Sequence, residues 1–166
     1  MRIRPAVATD AEAIRTIYNA EVVGSETTTF DLVPRTPGEQ VSWLARHQGA
    51  HPAVVAVAGS AEDEVVLGFG ALSVYRTRPA YSTTVENSVY VDRDHRGKGV
   101  GRAVLEELVR LAASHGFHSV VARVVGGNEA SIALHRSCGF EVVGVEREIG
   151  RKHGRWIDVV ELQRML

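Results

Sequence analysis

Between an apolar, strand-like run ending at Val91 and an amphipathic helical pattern beginning near Val100 lies Arg96-Gly97-Lys98-Gly99-Val100-Gly101-Arg102. No other stretch so narrows what the chain can become. A glycine-rich loop that opens a helix gathers unpaired backbone N–H groups at one point, and the helix dipole adds partial positive charge there. Glycine lets the main chain approach an anion closely, while Arg96, Lys98 and Arg102 add formal charge. The loop predicts an anion site suited to a diphosphate. Its spacing fits neither GxxxxGK(S/T) nor GxGxxG, because position 102 is arginine where the latter needs glycine.

That positive charge is local. Lys and Arg number 19 and Asp and Glu 20, a formal net charge of −1, which supplies no overall field for nucleic acid or an anionic membrane. With 166 residues, 45% hydrophobic and 23% charged, the chain falls in the range of one globular domain. Cys138 is the only cysteine, so an intrachain disulfide and a Cys-rich zinc site are both excluded. Met1-Arg2-Ile3-Arg4-Pro5 lacks the apolar core of a signal peptide, and the apolar runs around Val54 and Val65 fall short of the ~20 residues a membrane helix needs. A cytoplasmic protein is expected, with neither nucleic acid nor membrane as partner. His115 and His118 straddle Gly116 without a carboxylate or cysteine at ligand spacing, so no metal is predicted.

Residues 2–8 read as a strand, and Thr9-Asp10 offers a cap for a helix with Ile14, Ile17 and Tyr18 on one face. Thr36-Pro37-Gly38-Glu39 combines a capping hydroxyl, an early proline and a glutamate, predicting a second helix to about His47. The polar, threonine-rich residues 25–35 join the two. Ala53–Ala58, Val65–Tyr75 and Ser82–Val91 are β-rich, with turns around Gly59-Ser60 and Arg78-Pro79. Val104, Leu105, Leu108, Leu111 and Ala112 mark a helix that Gly116 ends. His118–Val124 reads as a buried strand, Asn128 caps a helix to about Cys138, and Glu141–Val145 and Trp156–Leu162 read as closing strands. The order βααβββαβαββ predicts one α/β domain over 1–166, a mixed and mostly antiparallel sheet flanked by about four helices.

Offsets of 3 and 7 put Asn128, Ser131 and His135 on one helix face. Taken alone these are an N-cap, a surface serine and a partly buried histidine. Taken with Arg96, Gly99 and Gly101, the chain resembles the GNAT N-acetyltransferases, whose signature is Q/R-x-x-G-x-G/A at the head of the central helix. In that family the loop grips the pyrophosphate of acetyl-CoA, and the preceding strand splays from its neighbour to pair with the pantetheine arm. The resemblance therefore implies acetyl-CoA as co-substrate, held by Val89, Tyr90 and Val91, by residues 96–102, and by Asn128 and Ser131. Tyrosine commonly occupies the place of His135, so the histidine is a departure.

Within that superfamily the chain is most similar to the phosphinothricin acetyltransferases and their relatives acting on methionine sulfoximine or sulfone. The resemblance covers essentially the whole chain. It rests on Thr27-Thr28-Thr29-Phe30, Arg76-Thr77-Arg78-Pro79-Ala80-Tyr81, Thr84 to Val91, Asn128 to Phe140, and Lys152 to Val159. It implies a catalytic pair at Glu86 and His135. An amino-acid substrate arrives as an ammonium, and attack on a thioester needs a free amine, so a base must take a proton directly or through water. Glu86 is the candidate, provided burial raises a carboxyl whose ordinary pKa is about 4.3. His135, ordinarily near 6.5, could protonate the departing thiolate or assist deprotonation. The Val91 N–H is the expected oxyanion donor. Cys138 is read as a packed helix residue.

Arg76 and Arg78, with Tyr81, suit an acceptor's carboxylate or phosphinate, although two loop arginines can equally be solvated surface. Arg78 tilts the expectation toward phosphinothricin, since several methionine-sulfoximine relatives carry an apolar residue there. Phe30 is expected to wall the same pocket, and a homodimer is the family expectation. Other readings are a peptide N-terminus or polyamine as acceptor, or a non-catalytic acyl-CoA sensor. The arginines oppose a polyamine, and the retained Glu86 and His135 oppose the sensor.

Overall fold

A computed structural model describes residues 1–25, 28–60 and 63–166, so Thr27 of the threonine run lies outside the described residues. Among the described residues seven strands form one sheet in the order β1-β2-β3-β4-β5-β7-β6. They are β1 (Arg2–Pro5), β2 (Ala53–Ala58), β3 (Val65–Val74), β4 (Thr84–Val91), β5 (Ser119–Val125), β6 (Glu141–Lys152) and β7 (Arg155–Met165). The helices are α1 (Ala11–Gly24), α2 (Pro37–Arg46), α3 (Val100–Ser114) and α4 (Glu129–Ser137). All pairings are antiparallel except β4 with β5. The expected order and mixed sheet are what the chain forms.

The helices cover the sheet from two sides. Ile14, Ile17, Tyr18 and Val22 of α1 pack with Val55, Val57 and Phe69, whereas Val100, Val104, Leu105 and Leu108 of α3 join Val54, Leu72, Val85 and Val120. Gly70 on β3 lets α3 come close. A Cβ there would lie 2.7 Å from Val104 Cγ1 and 2.8 Å from Leu108 Cδ1. No helix among the described residues is long and apolar enough to cross a membrane.

Several local readings change. β1 stops at Pro5, and Asp10 does not cap α1. Its carboxylate instead accepts from the Val7 N–H at 2.7 Å and from Arg4, closing a short 3-10 turn. At α2 the expected capping box forms: Glu39 N–H donates to Thr36 Oγ1 at 3.3 Å, and Glu39 Oε2 accepts from the Thr36 N–H at 2.8 Å. The closing strands are far longer than their apolar runs, because pairing carries the mostly polar residues 146–152 along. Bulges at Val142/Gly144 and Glu146/Gly150 bend β6, and His153 and Gly154, at φ 49 and 81, make the tight turn into β7.

Candidate active site

The parallel ladder between β4 and β5 runs from Thr84↔Ser119 to Asn87↔Ala122 and ends there. β4 nevertheless stays paired with β3 up to Val91↔Gly68. From Ser88 onward one edge of β4 therefore has no partner strand among the described residues. Asp92 donates its N–H to the Leu67 carbonyl on β3, and N–H groups alternate between the two edges of a strand. Those of Val89 and Val91 are thus turned into the gap, while that of Tyr90 is turned toward β3. The half-buried Tyr90 ring lies on the α1 side, stacked on Phe69 with centroids 5.2 Å apart. A cleft of about 800 Å³ runs through this gap.

The glycine loop closes one end of the cleft. Gly97 and Gly99 have φ of 72 and 81, the left-handed region that glycine favours. A Cβ built on either meets nothing within 4 Å, so both present an open face. Gly99 is the N-cap of α3, and Ala103 N–H is bonded back to the Gly99 carbonyl at 3.1 Å. The N–H groups of Val100, Gly101 and Arg102 precede that bond and have no acceptor within the helix. Gly101 serves packing: a Cβ there would lie 3.2 Å from Leu134 Cδ2 and 3.4 Å from Val91 Cγ2.

The charged side chains of the loop are already engaged. Arg96 Nη2 donates to Glu21 Oε1 at 2.6 Å, and Arg102 pairs with Glu106 at 2.8 Å. Arg96 and Arg102 line the cleft; Lys98 lies outside the lining and donates to the Asp94 carbonyl at 2.7 Å. Asn128, Ser131 and His135 line it from α4, with Asn128 Oδ1 accepting the Ser131 N–H at 3.1 Å as the expected cap.

Glu86 and His135 reach the cleft from opposite faces of β4. His135, 4% exposed, lies on the α4 side, where Nε2 faces Asn87 Oδ1 at 3.0 Å and Nδ1 faces the Ser131 carbonyl at 2.8 Å. Asn87 in turn donates to the Val121 carbonyl at 3.1 Å. This network sits at the last paired residues before the strands part. Burial lowers the His135 pKa, and the Ser131 carbonyl works against that. Glu86 precedes Asn87, so its side chain points the other way. Half-buried there, its carboxyl is raised above the usual range chiefly by burial, with Arg123 and Arg76 opposing and Glu161 and Glu146 assisting.

Beyond Glu86 the acceptor side is looser. Phe30 lines the cleft with its ring against Gly150 of β6, where a Cβ would fall 2.3 Å from Cε1. Arg76, Arg78 and Tyr81 are exposed, and none of them lines the cleft. Arg76 lies 5.0 Å over the Tyr75 ring and 5.5 Å over Tyr81, close enough to influence Glu86. Sequence reasoning passed over Asn87, Tyr18, Glu21 and Asp31, which also line the cleft. Asn87 had a usable signal, a polar residue in the strand beside the candidate base. The other three read as ordinary helix and loop positions.

Comparison with known proteins places this geometry. The family model described as "Acetyltransferase (GNAT) domain" matches residues 3–160. Phosphinothricin N-acetyltransferase of Streptomyces coelicolor is 39% identical over 166 residues, covering 100% of this chain and 96% of that protein. The L-methionine sulfoximine/L-methionine sulfone acetyltransferase of Pseudomonas paraeruginosa is 38% identical, covering 97% and 92%. Among solved structures, a phosphinothricin acetyltransferase from Sinorhizobium meliloti in complex with AcCoA superposes with a TM-score of 0.92 at 37% identity, covering 99% of this chain and 88% of that one.

Proposed function

The chain belongs to the GNAT acetyltransferase family, and on that premise we propose that it is an acetyl-CoA-dependent N-acetyltransferase. Its acceptor is the α-amine of a small amino-acid-like molecule, phosphinothricin first, with direct transfer in a ternary complex. The observation that carries the reading is the unpaired edge of β4, which turns the Val89 and Val91 N–H groups into a cleft that ends at the head of α3.

The residues present fit the co-substrate. Gly97 and Gly99 leave the loop face open, and the free N–H groups at the start of α3 suit a diphosphate. Val89 and Val91 offer backbone bonds to an amide-bearing arm, and Asn128 and Ser131 flank it from α4. When bound, acetyl-CoA supplies an acetyl group activated as a thioester. The Val91 N–H is the donor available to polarise a carbonyl oxygen in the gap. Glu86 takes a proton from the acceptor's ammonium directly or through one water, and its raised pKa brings it nearer to that task. Both His135 nitrogens face acceptors, Nδ1 the Ser131 carbonyl and Nε2 Asn87 Oδ1, so a neutral ring that donates from Nδ1 leaves Nε2 without a donor to bond and a protonated ring would satisfy both. Nε2 is therefore where this ring would take up a proton, against the burial that disfavours its charge.

Thiol release from acetyl-CoA against phosphinothricin, methionine sulfoximine, methionine sulfone, methionine, glutamate, a polyamine and a short peptide tests the assignment. Turnover of phosphinothricin that disappears in Glu86→Gln is expected. Silence across the panel from a chain that binds acetyl-CoA would sink the acceptor class. One observation favours methionine sulfoximine or sulfone as a second reading: Arg78, the residue that tilts toward a phosphinate, lies outside the cleft lining. The same family reading carries a homodimer, for which the exposed Val142, Val143 and Val145 of edge strand β6 offer an apolar surface.

A further inference from the structure

Glu21 on α1 is 2% exposed and lines the cleft, yet no step above uses it. Its Oε1 accepts from Arg96 Nη2 at 2.6 Å and from Arg93 Nε at 2.9 Å. Arg93 Nη2 also donates to the Ala20 carbonyl at 2.8 Å, close to the C-terminal end of α1. Gly24, the last residue of α1, completes this seat. A Cβ there would lie 2.5 Å from Arg93 Nη2 and 2.9 Å from Nη1. One carboxylate thus joins the end of α1 to the phosphate-side loop, and the glycine beneath it keeps the joint closed. Burial alone would raise the Glu21 pKa, but Arg93, the Thr28 hydroxyl and Arg96 outweigh it and keep the group ionised.

We propose that Glu21 is a positioning residue for acetyl-CoA: it fixes Arg96 at the rim of the glycine loop before the ligand arrives, and anchors that rim to α1 through Arg93. This rests on the reading that the loop holds the diphosphate. Arginine has large rotamer freedom to lose, and ordering it in advance removes that cost from the binding step. Charge alone argues the other way. Glu21 brings a negative charge to an anion site, so on Coulomb's law its removal would tighten binding. The sign of the effect separates the two.

Titration calorimetry with CoA and with acetyl-CoA on the wild-type chain, Glu21→Gln and Gly24→Ala, alongside KM for acetyl-CoA and kcat, tests this. Glu21→Gln is expected to weaken CoA about tenfold and to raise KM for acetyl-CoA in step, with kcat at saturation within about twofold. Gly24→Ala keeps every charge but displaces Arg93, and is expected to do the same about threefold. Unchanged or tighter CoA binding in Glu21→Gln overturns the proposal, as does a fall in kcat that matches the loss of binding. Should Glu21→Gln fail to fold, Gly24→Ala with unaltered CoA affinity overturns it equally. A wild-type chain that does not bind CoA overturns the diphosphate reading and this proposal with it. Wild-type binding unaltered in Glu21→Gln overturns this proposal alone.

Discussion

At the glycine-loop end of the cleft a ligand meets main-chain N–H groups, set by left-handed glycines, a helix start and an unpaired strand edge. At the other end it meets side chains from distant strands: Glu86 on β4, Arg123 on β5, and Phe30 propped on Gly150 of β6. The first kind of site takes its donors from the backbone, with Arg96 held at its rim by Glu21. The second depends on sheet register and on opposed charges, with Glu86 raised by burial while Arg123 and Arg76 pull it back. Holding an anion and moving a proton ask for these different constructions, the one a fixed set of unpaired backbone donors, the other held away from electrostatic comfort.

Glu86→Gln breaks the second end alone. It keeps shape and removes the proposed base, so kcat/KM should fall by roughly 10²- to 10⁴-fold, while CoA affinity measured by calorimetry stays unchanged. Because the base must be ionised to act and its pKa is raised, wild-type activity should fall on acidification at a pH above the ordinary carboxylate range. A rate that stays flat down to pH 4 would remove Glu86 from the proton path.

Gly99→Ala breaks the first end alone. A Cβ meets no atom there, so the cost is conformational: a φ of 81 at the cap of α3 that alanine holds poorly. KM for acetyl-CoA should rise about tenfold, with an accompanying stability loss of about 1 kcal/mol. An acceptor KM that rises while the acetyl-CoA KM does not would reverse the assignment of the two ends.

The same contrast explains what could be read in advance. The loop, the capping box at Thr36 and the Asn128 cap are local patterns whose geometry follows from a few neighbouring residues, and all take up the predicted conformation. Glu86 and His135 could be picked out as chemistry, but not their placement on opposite faces of β4 beside the point where β4 and β5 part. Phe30 could be placed only by knowing that β6 runs on to Lys152, and the alternation of Glu146, Arg147 and Glu148 gave no apolar signal for that strand. Asn87 was overlooked because its partners, Val121 and His135, lie 34 and 48 residues away.

Arg76 and Arg78 sharpen the comparison within the acceptor end. Arg76 influences Glu86, whereas Arg78 is exposed and outside the cleft lining. Arg76→Ala should raise the acceptor KM several-fold, about 3- to 5-fold, and Arg78→Ala by less than about twofold, as expected for partly screened surface charges. Steady-state kinetics with saturating acetyl-CoA decides it, and a larger effect at Arg78 would restore the phosphinate-binding role that its spacing suggests.

The smallest expected effect concerns stability. A carboxyl whose folded pKa is raised favours the native state below its unfolded pKa, and that contribution is lost as pH rises through the folded value. At pH 7 ionised Glu86 is therefore a burden on the fold, and glutamine, which resembles the protonated acid, relieves it. Glu86→Gln should be more stable than wild type by about 0.5–1 kcal/mol at pH 7, with the gain shrinking toward zero near pH 4. Urea midpoints at the two pH values measure it. Gly99→Ala, strained at any pH, should show no such dependence. Destabilisation of Glu86→Gln at pH 7 would mean that Glu86 stabilises the fold through Arg123, and the acceptor end would then be as electrostatically settled as the loop.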